Sequence, residues 1–262
     1  MATVLAISSH VVRGHVGLDA TVPGLQALGH EVWSLPTVTF ASRPGLGRMA
    51  RLDPAAADLA ALLAALEADG CWAGLDAVLT GYFPSANTVE VAADAVARIK
   101  STNARVRVLV DPVLGDAGKL YVAPDTAAAI RDRLLPLADI ATPNLFELGW
   151  LSGGAADRAG IIAAARRLGP ATVVVTSALE NAGDVTTLLV TPVDAVEHCE
   201  RGYANIPNGA GDLFAGLLLG HLLIKPSLEA ALSASLADLD TVLAASAGKP
   251  VLDLAALPER AP

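Results

Sequence analysis

Short aliphatic or β-branched runs alternate along this chain with helical stretches, and that alternation limits what it can fold into more than any other feature. Residues 3–7, 77–80, 106–110 and 172–175 read as buried strands, and Ile140 and Ala141 end another short one. Between them lie helical patterns at 18–28, 53–70, 85–100, 126–135 and 155–168, and Asn144 begins a further helix. Gly29 stops the first helix, Pro54 sits in the first turn of the second, and Ser85 caps the third. Strands separated by helix-length connections join in parallel, because a parallel crossover cannot be made by a tight turn. Residues 32–35 and 37–40 are further short strands, 185–190 and 196–204 suggest an antiparallel pair, and 209–223 and 228–245 are closing helices. The expected fold class is α/β: a mainly parallel central sheet with helices on both faces. No internal repeat, heptad seam or low-complexity linker divides residues 1–262, so one domain is expected.

The bulk properties exclude several functions. Hydrophobic residues make up 53% of the chain and charged ones 17%, which supports a sizeable core and rules out a disordered chain. A net charge of −9 opposes nucleic-acid or anionic-membrane partners, both of which select a positive face. Cys71 and Cys199 show neither CxxC nor Cys/His spacing and read as free thiols. Residues 1–9 are apolar over only a strand's length and lack the basic start and cleavage site of a signal peptide. No run reaches the ~18 apolar residues of a membrane span. The expected location is the cytoplasm.

Ligands of parallel sheets sit beyond the carboxyl ends of the strands, so polar residues just after Ile7, Thr80, Val110, Ala141 and Val175 are the ones to inspect. The most informative segment lies elsewhere, at Asn208-Gly209-Ala210-Gly211-Asp212 followed by Leu213-Phe214-Ala215-Gly216. Two glycines flank a small residue where a loop enters a long apolar helix. Such a turn brings backbone N–H groups close to a ligand, and the helix N-terminus favours negative charge. One reading is a simple Asp cap on a glycine turn. The other is an anion hole for a migrating phosphoryl group, with Asp212 taking the proton of an attacking alcohol. No GxxxxGK[ST] loop and no GxGxxG after the first strand occur, so neither a Walker-type nor a dinucleotide-binding site is expected. No HExxH or Cys/His cluster suggests zinc.

Residues 208–220 resemble the GxGD-plus-helix signature of the ribokinase-like superfamily, a three-layer sandwich with a small β flap. Within it the chain is similar to pyridoxal kinases. Residues 7–17, Ile-Ser-Ser-His-Val-Val-Arg-Gly-His-Val-Gly, look like their opening strand and flap, and Leu79-Thr80-Gly81-Tyr82 looks like their next substrate-side turn. Asp111-Pro112-Val113-Leu114-Gly115-Asp116 with Tyr121-Val122 resembles the ATP-side segment. Asn144 with Glu147 matches the NxxE region, and Thr176-Ser177 falls at a nucleotide-contacting pair. The motifs run in the family's order from residue 4 to about 224.

The resemblance implies an ATP-dependent kinase acting on the 5′-hydroxymethyl group of pyridoxal, pyridoxine or pyridoxamine. Asp212 would be the base, with the N–H groups of Gly209, Ala210 and Gly211 stabilising negative charge. Ser9, Val16, Thr37, Phe40 and Tyr82 would line the B6 vitamer site together with Asp212. Asp111, Asp116, Tyr121, Thr142, Asn144, Thr176, Ser177, Gly211 and Phe214 would serve ATP. Asp111 and Glu147 would organise Mg²⁺ and its waters, and a monovalent cation such as K⁺ fits the family pattern. A homodimer is also implied.

The flap departs from the family pattern: Ser42, Arg43 and Pro44 stand where an Asn-His-Thr run is usual, and Arg13 where a tyrosine is common. The two arginines could anchor an anionic substrate group, close over ATP phosphates, or be solvated charges. Another hydroxymethyl substrate such as hydroxymethylpyrimidine, a sugar or nucleoside, or a non-catalytic B6 binder are the competing readings. His10 to Gly17, in place of a glycine-rich sugar-binding opening, favours a flat heteroaromatic ring.

Overall fold

The computed structural model describes residues 1–154, 157–181 and 183–258. Its strands and helices are, in order, β1 (Thr3–Val11), α1 (Leu18–Ala27), β2 (Glu31–Phe40), β3 (Arg51–Leu52), α2 (Ala56–Ala68), β4 (Ala77–Thr80) and α3 (Ala86–Thr102). There follow β5 (Arg107–Val110), β6 (Gly115–Asp116), β7 (Lys119–Leu120), α4 (Pro124–Ala129), β8 (Ile140–Ala141), α5 (Leu145–Ser152) and α6 (Arg158–Arg167). The chain closes with β9 (Thr172–Asn181), β10 (Asp184–Val190), β11 (Ala195–Arg201), α7 (Ala210–Leu222) and α8 (Leu228–Ser246). Two compact units emerge, the first from residues 1–53, 75–81 and 203–262 and the second from 54–74 and 82–202.

The first unit contains the strand order β4-β1-β2-β3. β1 pairs in parallel with both β2 and β4, placing Ile7 beside Leu35 and Thr80. Residues 4–9 of β1 are all buried, as a strand covered on both faces requires. α1 packs against α7, and α7 against α8. From Leu213 to Leu222 every residue of α7 is buried, so this helix is held on all sides as a core element. Close approach of α1 and α7 depends on Gly216, where a Cβ would stand 2.6 Å from the Thr21 carbonyl oxygen.

The two short strands expected at 32–35 and 37–40 are one strand, β2, running through Pro36. β3 pairs only with Thr39 and Phe40, so the missing N–H of Pro36 breaks no bond on that side. The β1–β2 register slips between Ser8 and His10, a bulge that absorbs the extra residue.

The second unit contains the order β11-β10-β9-β8-β5, parallel from β5 through β8 to β9 and antiparallel from β9 through β10 to β11. α5 and α6 pack on β9, with Leu148, Ile161, Val173, Val175 and Leu188 in one core cluster. β6 and β7 form a separate two-stranded hairpin. The expected 155–168 helix begins at Arg158, capped by Asp157, and Ala155 and Ala156 lie outside the described residues. The 126–135 pattern divides into α4 and a π turn over Ile130–Leu134. Thr176 and Ser177, expected just past a strand, lie within β9, which runs on to Asn181.

Candidate active site

In the first unit the site is built on the N-terminus of α7. Gly209 is the N-cap, at φ 109°, and a Cβ there would overlap the carbonyl oxygen of His15. The glycine is thus required twice, by its backbone angle and by the loop lying against it. Asp212 is in the first turn of α7 and half-buried. The Thr21 hydroxyl donates to the Asp212 carbonyl oxygen at 3.0 Å, tying α1 to this turn. The carboxylate of Asp212 accepts the N–H of Gly17 and its own N–H. Burial nevertheless pushes its pKa up to about 6, and the negative charge of Asp19 adds to the rise. A carboxylate poised there can accept a proton near neutral pH.

Ser9 is 5% exposed and Thr37 1%, both near the carboxyl ends of their strands. Val16 and Phe40 are half-buried, and the Arg51 guanidinium lies over the Phe40 ring at 5.9 Å. Gly81 presses on Ser8, whose Oγ would be 2.5 Å from an added Cβ. The first-unit candidates Ser9, Val16, Thr37 and Phe40 therefore occupy the carboxyl-end halves of β1 and β2 and the loop after β1, while Asp212 sits on the first turn of α7.

Neither of the functional readings of Arg43 matches its surroundings. Its Nη1 donates to the Pro44 carbonyl at 2.9 Å, its Nε to the Pro250 carbonyl at 3.2 Å, and its Nη2 to the same Pro250 oxygen. The side chain is occupied by backbone carbonyls. Arg13 is exposed. Phe214, expected to pack in the core or beside adenine, is 2% exposed and lies in the core, because it falls on a helix that is buried all round.

In the second unit Asp111 and Thr142 directly follow β5 and β8, Asn144 and Glu147 open α5, and Thr176 and Ser177 lie midway along β9. Asp111 follows β5 directly and is 7% exposed, and the buried Thr142 hydroxyl donates to its Oδ1 at 2.9 Å. Asn144 and Glu147 form a reciprocal cap on α5. Asn144 Oδ1 accepts the Glu147 N–H, and Glu147 Oε2 accepts the Asn144 N–H, both at 2.9 Å. Glu147 Oε1 reaches back to the Leu114 N–H at 2.9 Å, with the Gly115 N–H at 3.4 Å. Asn144 Nδ2 donates to the Gly115 carbonyl at 2.9 Å. Burial pushes the pKa of Glu147 up to about 7, and nearby Asp116 adds to it, against the pull of these N–H donors. Asp116 is exposed, its Oδ1 accepting the Ala117 N–H at 2.7 Å. Tyr121 is exposed after β7, and partial burial together with Asp116 and Glu147 raises its hydroxyl pKa.

Thr176 donates its N–H to the Pro143 carbonyl at 3.0 Å and forms an isolated bridge with Asn144. Beyond it, β9 bulges away from β10, and Ser177 adopts φ 47°, rare for a residue with a side chain. Such strain persists where function needs it. The second-unit candidates Asp111, Thr142, Asn144, Glu147 and Thr176 are thus joined through bonds among themselves and to the 111–115 segment.

Carboxylate and hydroxyl oxygens suit Mg²⁺, which keeps several waters and takes one or two protein carboxylates with substrate phosphates. Among the described residues no group of three His, Cys, Asp or Glu side chains forms a metal cage, and such a Mg²⁺ needs none.

Sequence reasoning missed Gly17 and Thr21 as hydrogen-bond partners of Asp212, and Asp19 as a charge that raises its pKa. The Asn144-x-x-Glu147 spacing is a capping-box signal and could have been read as one. Nothing in the sequence marked the Gly17 N–H as a partner of Asp212.

The family model for phosphomethylpyrimidine kinase matches residues 56–252. A pyridoxal kinase PdxY from Rubrobacter xylanophilus is 38% identical over 249 residues, covering 92% of this chain and 86% of that protein. One from Corynebacterium diphtheriae is 38% identical over 83% of this chain and 80% of its own length. Among solved structures, pyridoxal kinase from Entamoeba histolytica superposes with TM-score 0.91 at 26% identity, covering 97% of this chain and 93% of that one. Pyridoxal kinase from Leishmania donovani, in complex with ADP and pyridoxamine, gives 0.90 at 27% identity, covering 97% and 94%.

Proposed function

The chain belongs to the phosphomethylpyrimidine kinase family, among the pyridoxal kinases of the ribokinase-like superfamily, and from that premise we propose how its own residues carry the reaction. The reaction is transfer of the γ-phosphoryl group of ATP to the 5′-hydroxymethyl group of pyridoxal, forming pyridoxal 5′-phosphate and ADP. Pyridoxine and pyridoxamine are further acceptors. A single ribokinase-like domain over residues 1–262 performs it.

The observation that carries this reading is Asp212, held in the first turn of the buried helix α7 by the Gly17 N–H and raised to a pKa of about 6. Asp212 takes the proton of the 5′-hydroxyl as that oxygen attacks phosphorus and the bond to the β–γ bridging oxygen breaks. Unpaired N–H groups of the first turn, from Gly209, Ala210 and Gly211, stabilise the charge gathering on the transferred group. Ser9, Val16, Thr37, Phe40 and Tyr82 orient the pyridine ring. Asp111, Asp116, Tyr121, Thr142, Asn144, Thr176 and Ser177 hold the nucleotide. Bound Mg²⁺ would neutralise phosphate charge, held by Asp111 with Glu147 ordering the 114–115 backbone and the metal's waters. K⁺ as a monovalent activator, a homodimer and a cytoplasmic location complete the proposal. Among the described residues no helix is long and apolar enough to cross a membrane.

The test is ATP-dependent phosphorylation of pyridoxal, pyridoxine, pyridoxamine and hydroxymethylpyrimidine with Mg²⁺, beside Asp212→Ala. Pyridoxal 5′-phosphate formed by the wild type and lost in the variant is the expected result. Turnover of hydroxymethylpyrimidine alone would move the substrate from the B6 vitamers to a hydroxymethyl pyrimidine. Vitamer binding without ATP turnover would make the chain a binder instead of an enzyme.

A further inference from the structure

Residues 249–253 follow α8 and end close to the base, and two loops on the substrate side grip them. From one loop, Arg43 sends Nε and Nη2 to the single carbonyl oxygen of Pro250. From the other, His15 Nδ1 lies 2.7 Å from the Leu252 carbonyl oxygen. A carbonyl only accepts, so Nδ1 carries the hydrogen. The loops also hold each other: the Arg43 N–H donates to the Arg13 carbonyl at 3.0 Å. The stem of Arg43 lies against Gly14, at φ 115°, where a Cβ would be 2.9 Å from Arg43 Cγ.

The gripped segment is itself anchored. Leu252 is 1% exposed and belongs to the core cluster with Ala20, Leu213 and Leu217, at the N-terminal end of α7. Asp253 donates its N–H to Ser246 Oγ at 2.8 Å, and Lys249 Nζ meets Asp253 Oδ2 at 2.5 Å. Gly209 completes the circuit, since an added Cβ would overlap the His15 carbonyl and lie 3.2 Å from Leu252 Cδ1.

We infer that residues 249–253 act as a clasp for the loops carrying Val16 and Ser42, with Arg43 as a positioning residue that sets the acceptor site without touching the reacting atoms. An arginine suits the task because its planar fork can place two donors on one oxygen and a third on Pro44. Removing those donors frees the 42–47 loop from Pro250 and loosens the 12–17 loop bonded to it through the Arg43 N–H, while the helices beneath them keep their packing.

The kinetic arm of the test rests on the pyridoxal kinase reading, and the exchange arm does not. Hydrogen exchange is followed in Arg43→Met, which keeps the stem over Gly14 but has no donors, and in Arg43→Lys. Exchange at 13–16 and 45–47 should rise about tenfold in Arg43→Met, with α7 unchanged and Arg43→Lys intermediate. KM for pyridoxal should rise about tenfold, with KM for ATP within about twofold and kcat less affected than KM. Unchanged exchange in both loops of Arg43→Met would overturn the clasp. So would an equal rise in both KM values, which would mean general loosening. A wild type that turns over no B6 vitamer would overturn the assigned reaction, leaving the exchange result to decide the clasp alone.

Discussion

Gly17 donates its backbone N–H to the carboxylate of Asp212 while holding φ 58° and ψ −133°. A Cβ at this position would overlap both the carbonyl oxygen and the hydroxyl of Ser9. The residue that steadies the Asp212 carboxylate is thus also the one that lets the 12–17 loop close against β1. Gly17→Ala should lower kcat by at least about tenfold and cost at least about 1–3 kcal/mol, because φ 58° with ψ −133° is a backbone region that residues with a side chain rarely occupy. Steady-state kinetics and thermal unfolding measure the two effects.

Asp212→Asn should keep the fold and lower kcat by about 10²- to 10⁴-fold, the usual worth of a positioned base. The wild-type kcat/KM should fall as pH drops through about 6, where Asp212 takes up its proton. A pH–rate profile that stays flat from pH 8 to 5 would remove Asp212 from the role of base.

The same shift has a consequence for stability. The folded pKa of about 6 lies above the ordinary 3.8, so the native state holds this proton more tightly than the unfolded chain. The protonated form is the better tolerated, and the contribution of Asp212 to stability falls as pH rises from about 4 to 6. Asp212→Asn should therefore raise Tm at pH 8 and lose that advantage near pH 4. Paired melts across pH check the sign.

Thr142→Val removes the hydroxyl that donates to Asp111 Oδ1 while keeping the volume of the side chain. The buried carboxylate then lacks that donor, at a cost of about 1–3 kcal/mol. KM for Mg·ATP should rise more than KM for pyridoxal, as read from initial rates with each substrate varied in turn.

Gly216→Ala puts a methyl group 2.6 Å from the Thr21 carbonyl, so α1 and α7 must separate. Overpacking of this kind costs about 1–3 kcal/mol. Because Thr21 also holds the Asp212 turn, kcat should fall together with Tm.

The strand–helix alternation was legible because its cause is local: apolar runs, a cap such as Ser85 and a stop such as Gly29 act within a few residues of chain. The Asn208–Asp212 turn was legible for the same reason, as glycines before an apolar helix have few other uses. Where expectation and structure part, the cause is contact between distant segments. Thr176 and Ser177 lie inside β9 because β10 pairs with the residues on either side of them and Asn144 bridges Thr176. Phe214 is in the core because α7 is enclosed on every side, which its apolar pattern suggests but its neighbours decide. Arg43 read as an anchor for an anionic group, a clamp on phosphates or a solvated charge until Pro250, 207 residues later, supplied the carbonyl that occupies it. The sequence by itself determined the α/β class and the chemical type of the groups at the strand ends. Tertiary structure alone decided that Gly17 braces Asp212, that Glu147 binds the 114–115 backbone, and that burial lifts both carboxyls toward neutrality. Desolvation and hydrogen bonding depend on what is brought near, and spacing along a chain does not encode it.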